Sequence, residues 1–337
     1  VLLFATSSAT AQPLRDVFRR VNPAVVLIRT TATAPSPTPP PVGEASSAAQ
    51  GLGSGVLVSA DGKVITAAHV VKGASTIEVS FLDGTPIPAS VTAMAPFADI
   101  ALLQLQRVPP NATVAIFGNS DLLDAGDQVF TIGAPYGANH SLAVGWISAR
   151  REAPKVYEDA LALDVFQTDL DIYQGNSGGP LFDLEGRVVG IVTHVLSQQG
   201  STGGPSFSVA GIAVKRLMVD ERRAWLGVEP FMVEGPVAEA LNLPQPAGLL
   251  VQTVSPGSLA ARLGLRGGSL SAVIADLPLR LGGDVLLEVL GTPVTASPAF
   301  TGGLLAALDR VKPGDTVTVR VWRGGAVVPL TTTVTMP

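Results

Sequence analysis

Gln174-Gly175-Asn176-Ser177-Gly178-Gly179-Pro180-Leu181 is a serine set among glycines. Gly175-x-Ser177-x-Gly179 fits the nucleophile elbow of a strand–turn–helix, in which Asp and then His follow the serine. Here Gly178-Gly179-Pro180 opens a regular helix poorly, because glycine is too free and proline brings its own restrictions. The only later histidine is His194, inside the strand-like run Gly190-Ile191-Val192-Thr193-His194. The context therefore favours a glycine-rich turn between strands in an all-β fold.

The flanking chain agrees. From Gly51 to about Val214, short apolar or alternating runs recur between turn signals. Strands are predicted at residues 53–58, 64–66, 76–80, 100–105, 128–132 and 187–193, with Asp-Gly turns at Asp61-Gly62 and Asp83-Gly84. No long helix intervenes, so the pattern is that of a β-barrel or sandwich. Ahead of it, residues 14–20 allow a short amphipathic helix and residues 24–28 a buried strand. Residues 34–50 are rich in Pro, Ser and Ala and are expected to form an exposed, mobile loop. Composition changes after Arg222-Arg223. Residues 223–337 read as a smaller unit, with strands at 248–254, 284–289 and 316–321 and helices near 237–241 and 301–308.

Composition bounds the function. The chain has 337 residues, enough for two or three domains, and is 47% apolar, enough for a real core. The absence of cysteine excludes disulfides, thiolate metal sites and cysteine nucleophiles. A net charge of −5 with no dense Lys/Arg stripe gives nucleic acid no electrostatic footprint. The three histidines form no His-x-x-x-His or carboxylate cluster, so neither metal nor other cofactor is expected. Residues 1–11 end in Ala9-Thr10-Ala11 and look like a signal-peptide remnant, which implies export to the periplasm or beyond. A frayed apolar N-terminal segment is the alternative. No later run is long enough to span a membrane.

Three segments carry chemistry only when taken together: Thr66-Ala67-Ala68-His69-Val70-Val71, Ala98-Asp99-Ile100-Ala101-Leu102-Leu103, and the Ser177 turn. A lone His after a strand is usually structural, a lone Asp before an apolar strand is usually a cap, and a glycine-rich turn needs no function. In the order His, Asp, Ser in an all-β chain they supply an acyl-transfer site. A serine hydroxyl is a poor nucleophile until a neutral imidazole accepts its proton, and a carboxylate fixes the imidazole tautomer. The turn Gly175-Asn176-Ser177 is the expected oxyanion hole, with the Gly175 and Ser177 amides as donors.

These segments, with Gly51-Leu52-Gly53-Ser54-Gly55 and Ile132-Gly133-Ala134-Pro135-Tyr136-Gly137, resemble the protease domain of the HtrA (Deg) family. The resemblance implies a trypsin-like double β-barrel over residues 12–222, with His69 as general base and then acid, Asp99 as orienting carboxylate and Ser177 as nucleophile. It places the 34–50 segment where the family carries a long regulatory loop. It also implies a homotrimer assembled near Phe18, and unfolded or damaged proteins as substrates. Two departures stand out. Ala67-Ala68 precede the histidine where the family commonly has Asn, and Asp171-Ile172-Tyr173-Gln174 replaces the usual proline-containing approach to the nucleophile. The latter segment lines the primary specificity pocket in the family.

Tyr173, Thr193, His194 and Val195 are the expected substrate-binding residues. Thr193 is placed to bond Asp99, or serves simply as a good strand former. His140 is read as a loop residue. Residues 223–337 resemble a PDZ domain of the same family, an α+β unit whose Trp225-Leu226-Gly227-Val228 would capture a peptide C-terminus. An ordinary core strand start is the alternative for those four residues. Residues 269–280 lengthen a loop beyond that domain's commonest form. Besides endoproteolysis, two other functions are open: a chaperone-like binding platform and an esterase using the same three residues.

Overall fold

A computed structural model describes residues 13–32, 49–137, 140–152, 163–195, 204–220, 224–274 and 277–335. The expected signal-peptide remnant lies outside them. So does most of the expected 34–50 loop, but its last two residues are strand and pair with Ala32 and Thr31.

The first barrel contains β1 (Val25–Ala32), β2 (Ala49–Leu57), β3 (Lys63–Ala67), β4 (Thr76–Ser80), β5 (Pro86–Ala95) and β6 (Ile100–Leu105). It closes in the order β1-β2-β3-β6-β5-β4. The second contains β7 (Gln128–Gly133), β8 (Ser141–Glu152), β9 (Asp164–Thr168), β10 (Pro180–Phe182), β11 (Val188–Val195) and β12 (Ser206–Ala210), closed as β10-β11-β12-β9-β8-β7. This is the double β-barrel of the trypsin-like fold.

Alternation along the strands builds three apolar layers, because successive side chains point to opposite faces. On β6, Ala101 and Leu103 fill the first barrel while Ile100 and Leu102 face the seam between barrels. On β7, Val129 points into the second barrel while Phe130 and Ile132 face the seam. A run buried on both faces explains why Ile100 to Leu103 reads as continuously apolar. The seam is closed by Phe130 stacked on Phe182, ring centroids 5.2 Å apart. Helix α1 (Leu14–Val21) seals its flank with Val17 and Val21. Helix α2 (Ala68–Val71) follows β3, and α3 (Gly211–Lys215) follows β12 and runs into one π turn.

The C-terminal unit is a six-stranded antiparallel sheet and a separate two-stranded hairpin, with helices. Its strands are β13 (Val228–Glu234), β14 (Ala247–Val254), β15 (Leu270–Ile274), β16 (Leu277–Leu281), β17 (Val285–Val289), β18 (Thr292–Pro293), β19 (Thr316–Arg323) and β20 (Ala326–Thr333). The sheet runs β13-β14-β17-β19-β20, β18 pairs with β17, and β13 forms an outer edge. Helices α4 (Gly235–Ala240), α5 (Leu259–Leu263) and α6 (Pro298–Asp309) complete the unit. Val251, Leu259, Leu286, Val317, Val319 and Val321 form its core. Residues 269–280, expected as a longer loop, contain the β15–β16 hairpin. Asp284 is buried at 2% exposure and binds Arg323 through both oxygens at 2.7 Å. The two halves of the chain touch: Trp225 packs on the first barrel's core, and Lys72 pairs with Glu229 at 2.9 Å.

Candidate active site

His69 and Asp99 are brought together by α2 and the turn before β6. Helix α2 starts at Ala68, and Ala67 offers no side chain to cap it. Asp99 does that work from the start of the adjacent strand β6, which pairs with β3. Its carbonyl accepts from Ala68 N at 2.9 Å, and its Oδ1 accepts from His69 N at 2.9 Å. Its Oδ2 lies 2.7 Å from His69 Nδ1. Asp99 adopts φ 53°, ψ 39°, a left-handed conformation that aspartate tolerates better than most residues. With Nδ1 donating to the carboxylate, Nε2 is the basic nitrogen of the neutral ring.

Ser177 sits in a turn whose carbonyls are all anchored. Gln174 O accepts from Tyr136 N at 2.8 Å and Asn176 O from Gly179 N at 2.9 Å. Gly175 O accepts from Ser54 Oγ at 2.6 Å, and Ser177 O from Ser54 N at 2.8 Å. In a trans peptide the N–H points opposite the carbonyl. Anchoring Gln174 O and Asn176 O therefore aims the N–H groups of Gly175 and Ser177 away from those partners. Neither N–H finds an acceptor among the described residues. Asn176, grouped with them in the sequence, does not supply a donor: its N–H is taken by Tyr173 O at 3.0 Å. Gly175 has φ 105° and Gly178 φ 84°. A Cβ on Gly178 would overlap Thr66 Oγ1 and the Ser54 carbonyl, and one on Gly175 would overlap Ala134 O. That is the physical reason the serine is set in glycines.

The turn is docked on both barrels. Gly178 N donates to Val192 O at 2.7 Å and Val192 N to Gly179 O at 2.9 Å, tying it to β11. The Ser54 bonds tie it to β2. Among the described residues no hydrogen bond joins Ser177 Oγ to His69.

Tyr173 is exposed and packs against Tyr136, ring centroids 5.9 Å apart. Thr193 is buried at the β-bulge of β11, and its hydroxyl donates to Phe207 O at 3.2 Å. His194 and Val195 continue β11 opposite Phe207 and Ser206. Trp225 to Val228 stand elsewhere, at the join of barrel and C-terminal unit. Gly227 there has φ 81°, and the carbonyls of Leu226 and Gly227 accept from Ala260 and Ser255. His140 lies before β8, also with positive φ, its Nδ1 2.7 Å from Asn22 Oδ1. Burial holds its pKa below the ordinary histidine value. Among the described residues no cluster of His, Asp and Glu is placed to hold a metal ion. No helix among them is long and apolar enough to cross a membrane.

The sequence did not single out Ser54, Ala134 or Tyr136 N as parts of this site. Only the clustering of Ser54 with glycines hinted that backbone approaches closely there.

Residues 53–191 match the family described as trypsin-like peptidase domain. Together with the two closed barrels this defines the class: a trypsin-like peptidase domain followed by a further β-rich unit. The relatives narrow it. A protein of Halomonas elongata named "Probable periplasmic serine endoprotease DegP-like" is 35% identical over 292 residues, 84% of this chain and 56% of the relative. Its namesake in Ectopseudomonas mendocina is 36% identical over 300 residues, 86% of this chain and 57% of the relative. The chain thus spans little more than half the length of these relatives. Among solved structures, "HtrA-type protease AlgW with decapeptide" is 29% identical with a TM-score of 0.52, covering 95% of this chain and 97% of that one. This chain is thus similar to the HtrA/DegP-like serine endoproteases.

Proposed function

We propose that the chain is a serine endopeptidase of the periplasm, cleaving unfolded or damaged proteins through an acyl-enzyme. The observation that carries this is the Asp99–His69 pair, set on the first barrel, to which the Ser177 turn, with its Gly175 and Ser177 N–H groups unpaired among the described residues, is bonded through Ser54. His69 Nε2 takes the proton from Ser177 Oγ as the oxygen adds to the scissile carbonyl. The resulting oxyanion is received by the N–H groups of Gly175 and Ser177. His69 then returns the proton to the leaving amine, and water repeats the cycle to free the acid. Asp99 keeps the ring in the right tautomer and stabilises the imidazolium.

Substrate is expected to lie along β11 near Thr193, His194 and Val195, with Tyr173 flanking the cleft. An extended, locally unfolded backbone suits such a site. Residues 223–337 act as a PDZ-like module. Its edge strand β13 offers a site for strand addition, and Trp225-Leu226-Gly227-Val228 the loop for a peptide carboxylate. Homotrimer assembly and periplasmic placement rest on the likeness to the relatives.

A fluorophosphonate probe, a denatured protein substrate and mass-spectrometric mapping of the cuts test this together. Labelling at Ser177 with many cuts in the denatured substrate is expected. Labelling without cleavage of protein, but with fast ester turnover, favours an esterase. No labelling and no cleavage favours a binding platform.

A further inference from the structure

Ser54 has no exposed surface, yet every polar group it owns is committed to the nucleophile turn or its supports. Its N–H donates to Ser177 O at 2.8 Å. Its Oγ donates to Gly175 O at 2.6 Å and accepts from Ala134 N at 3.0 Å. Its carbonyl accepts from Thr66 Oγ1 at 2.7 Å. One residue of the first barrel thus bonds the residues on both sides of Asn176 in the second. A buried hydroxyl with donor and acceptor both satisfied is worth keeping, since an unpaired partner would be costly.

Building on the serine-peptidase reading, we propose that Ser54 is a positioning residue for the oxyanion hole. Its hydroxyl sets the Gly175–Asn176 peptide by holding the carbonyl oxygen. That peptide lies between the two expected donors, the N–H groups of Gly175 and Ser177. With Oγ removed, Gly175 O and Ala134 N both lose a buried partner. The peptide is then free to rotate in search of another, breaking the Asn176 N–H bond to Tyr173 O and loosening the spacing of the flanking peptides, which carry the Gly175 and Ser177 N–H groups. The bond made by the Ser54 N–H survives any side-chain substitution, so Ser177 itself stays docked. The predicted defect is therefore selective: stabilisation of the tetrahedral intermediate falls, and binding of the ground-state peptide does not.

The test is Ser54→Ala in the full chain, measured beside the wild type. Wild-type labelling by a fluorophosphonate and hydrolysis of a peptide substrate establish the parent activity. If the wild type shows neither, the peptidase reading falls and the Ser54 role with it. Given an active wild type, Ser54→Ala is expected to lose about 10- to 100-fold in kcat, as small misplacements of catalytic groups do. KM stays within about twofold. Affinity for a peptide boronate, whose tetrahedral adduct uses the same N–H groups, falls in parallel with kcat/KM. A kcat within threefold of wild type with the boronate affinity unchanged overturns the proposal, as does a rise in KM that accounts for the whole loss. Should Ser54→Ala not fold, by circular dichroism and thermal unfolding, Ser54→Cys is read the same way. Its thiol is a weak donor on a longer bond, so full kcat in that variant also overturns it.

Discussion

Asp99 holds His69 by two bonds at once, one to the backbone N–H at 2.9 Å and one to ring Nδ1 at 2.7 Å. The same carboxylate caps the helix and sets the imidazole. Asp99→Asn keeps a side chain that tolerates positive φ, so the fold should survive. The amide cannot serve as the same acceptor, and the ring then adopts the wrong tautomer. A loss of about 10⁴-fold in kcat is expected, as for the corresponding change in the well-studied triad. Steady-state hydrolysis of a peptide substrate measures it, and turnover close to wild type would remove Asp99 from the site.

Ser177→Ala and His69→Ala should each abolish detectable proteolysis without unfolding the chain. Ser177 is only half-buried and its side chain holds no structural bond, while His69 is nearly half exposed at 48%. Thermal unfolding midpoints within a few degrees of wild type, together with loss of casein degradation, are the expected result. Intact proteolysis in either variant contradicts the assignment.

The C-terminal unit depends on a buried ion pair. Asp284 accepts from Arg323 Nε and Nη2 and from Arg266 N at 2.8 Å. Removing one member of such a pair leaves the other charge stranded, typically at a cost of about 3–5 kcal/mol. Asp284→Ala should therefore lower the urea midpoint of this unit while the barrels unfold as before. A shift below about 1 kcal/mol would show that water compensates Arg323.

His140 should make stability depend on pH. Its Nδ1 faces Asn22 Oδ1, its Nε2 is buried without a partner among the described residues, and its pKa lies below the ordinary 6.5. Below about pH 6.5 the unfolded chain binds a proton here that the folded chain resists. Stability therefore falls as pH drops through that value, and the decline ends once the native histidine itself protonates. His140→Asn, which tolerates the positive φ, should flatten thermal midpoints between pH 7.5 and 5.5. An unchanged slope would assign the pH dependence to other groups.

The barrels were legible because their strands obey period-two patterning between Asp-Gly turns. Residues 76–80 and 100–105 were placed to the residue, as β4 and β6. His69 and Asp99, expected together from short local motifs, are hydrogen-bonded, while the part of Ser177 in acyl transfer belongs to the proposed function. Elements without local signatures escaped. Helix α5, with five residues, is too short to show periodicity. The β15–β16 hairpin read as loop, its second strand carrying Pro278. The start of β2 was hidden by the Pro- and Ser-rich run before it. Ser54 escaped for a deeper reason: its partners Gly175 and Ser177 lie more than a hundred positions away in the chain. Nothing near Ser54 in sequence announces them.

Because the bonds that shape the nucleophile turn start on β2 while the turn itself belongs to the second barrel, neither half can assemble the hydrolytic centre by itself. On the proposed reading, a molecule with one barrel still unformed is chemically inert. The topology then acts as a built-in safety catch: a nascent chain cannot digest its neighbours, and activity is armed only as folding finishes.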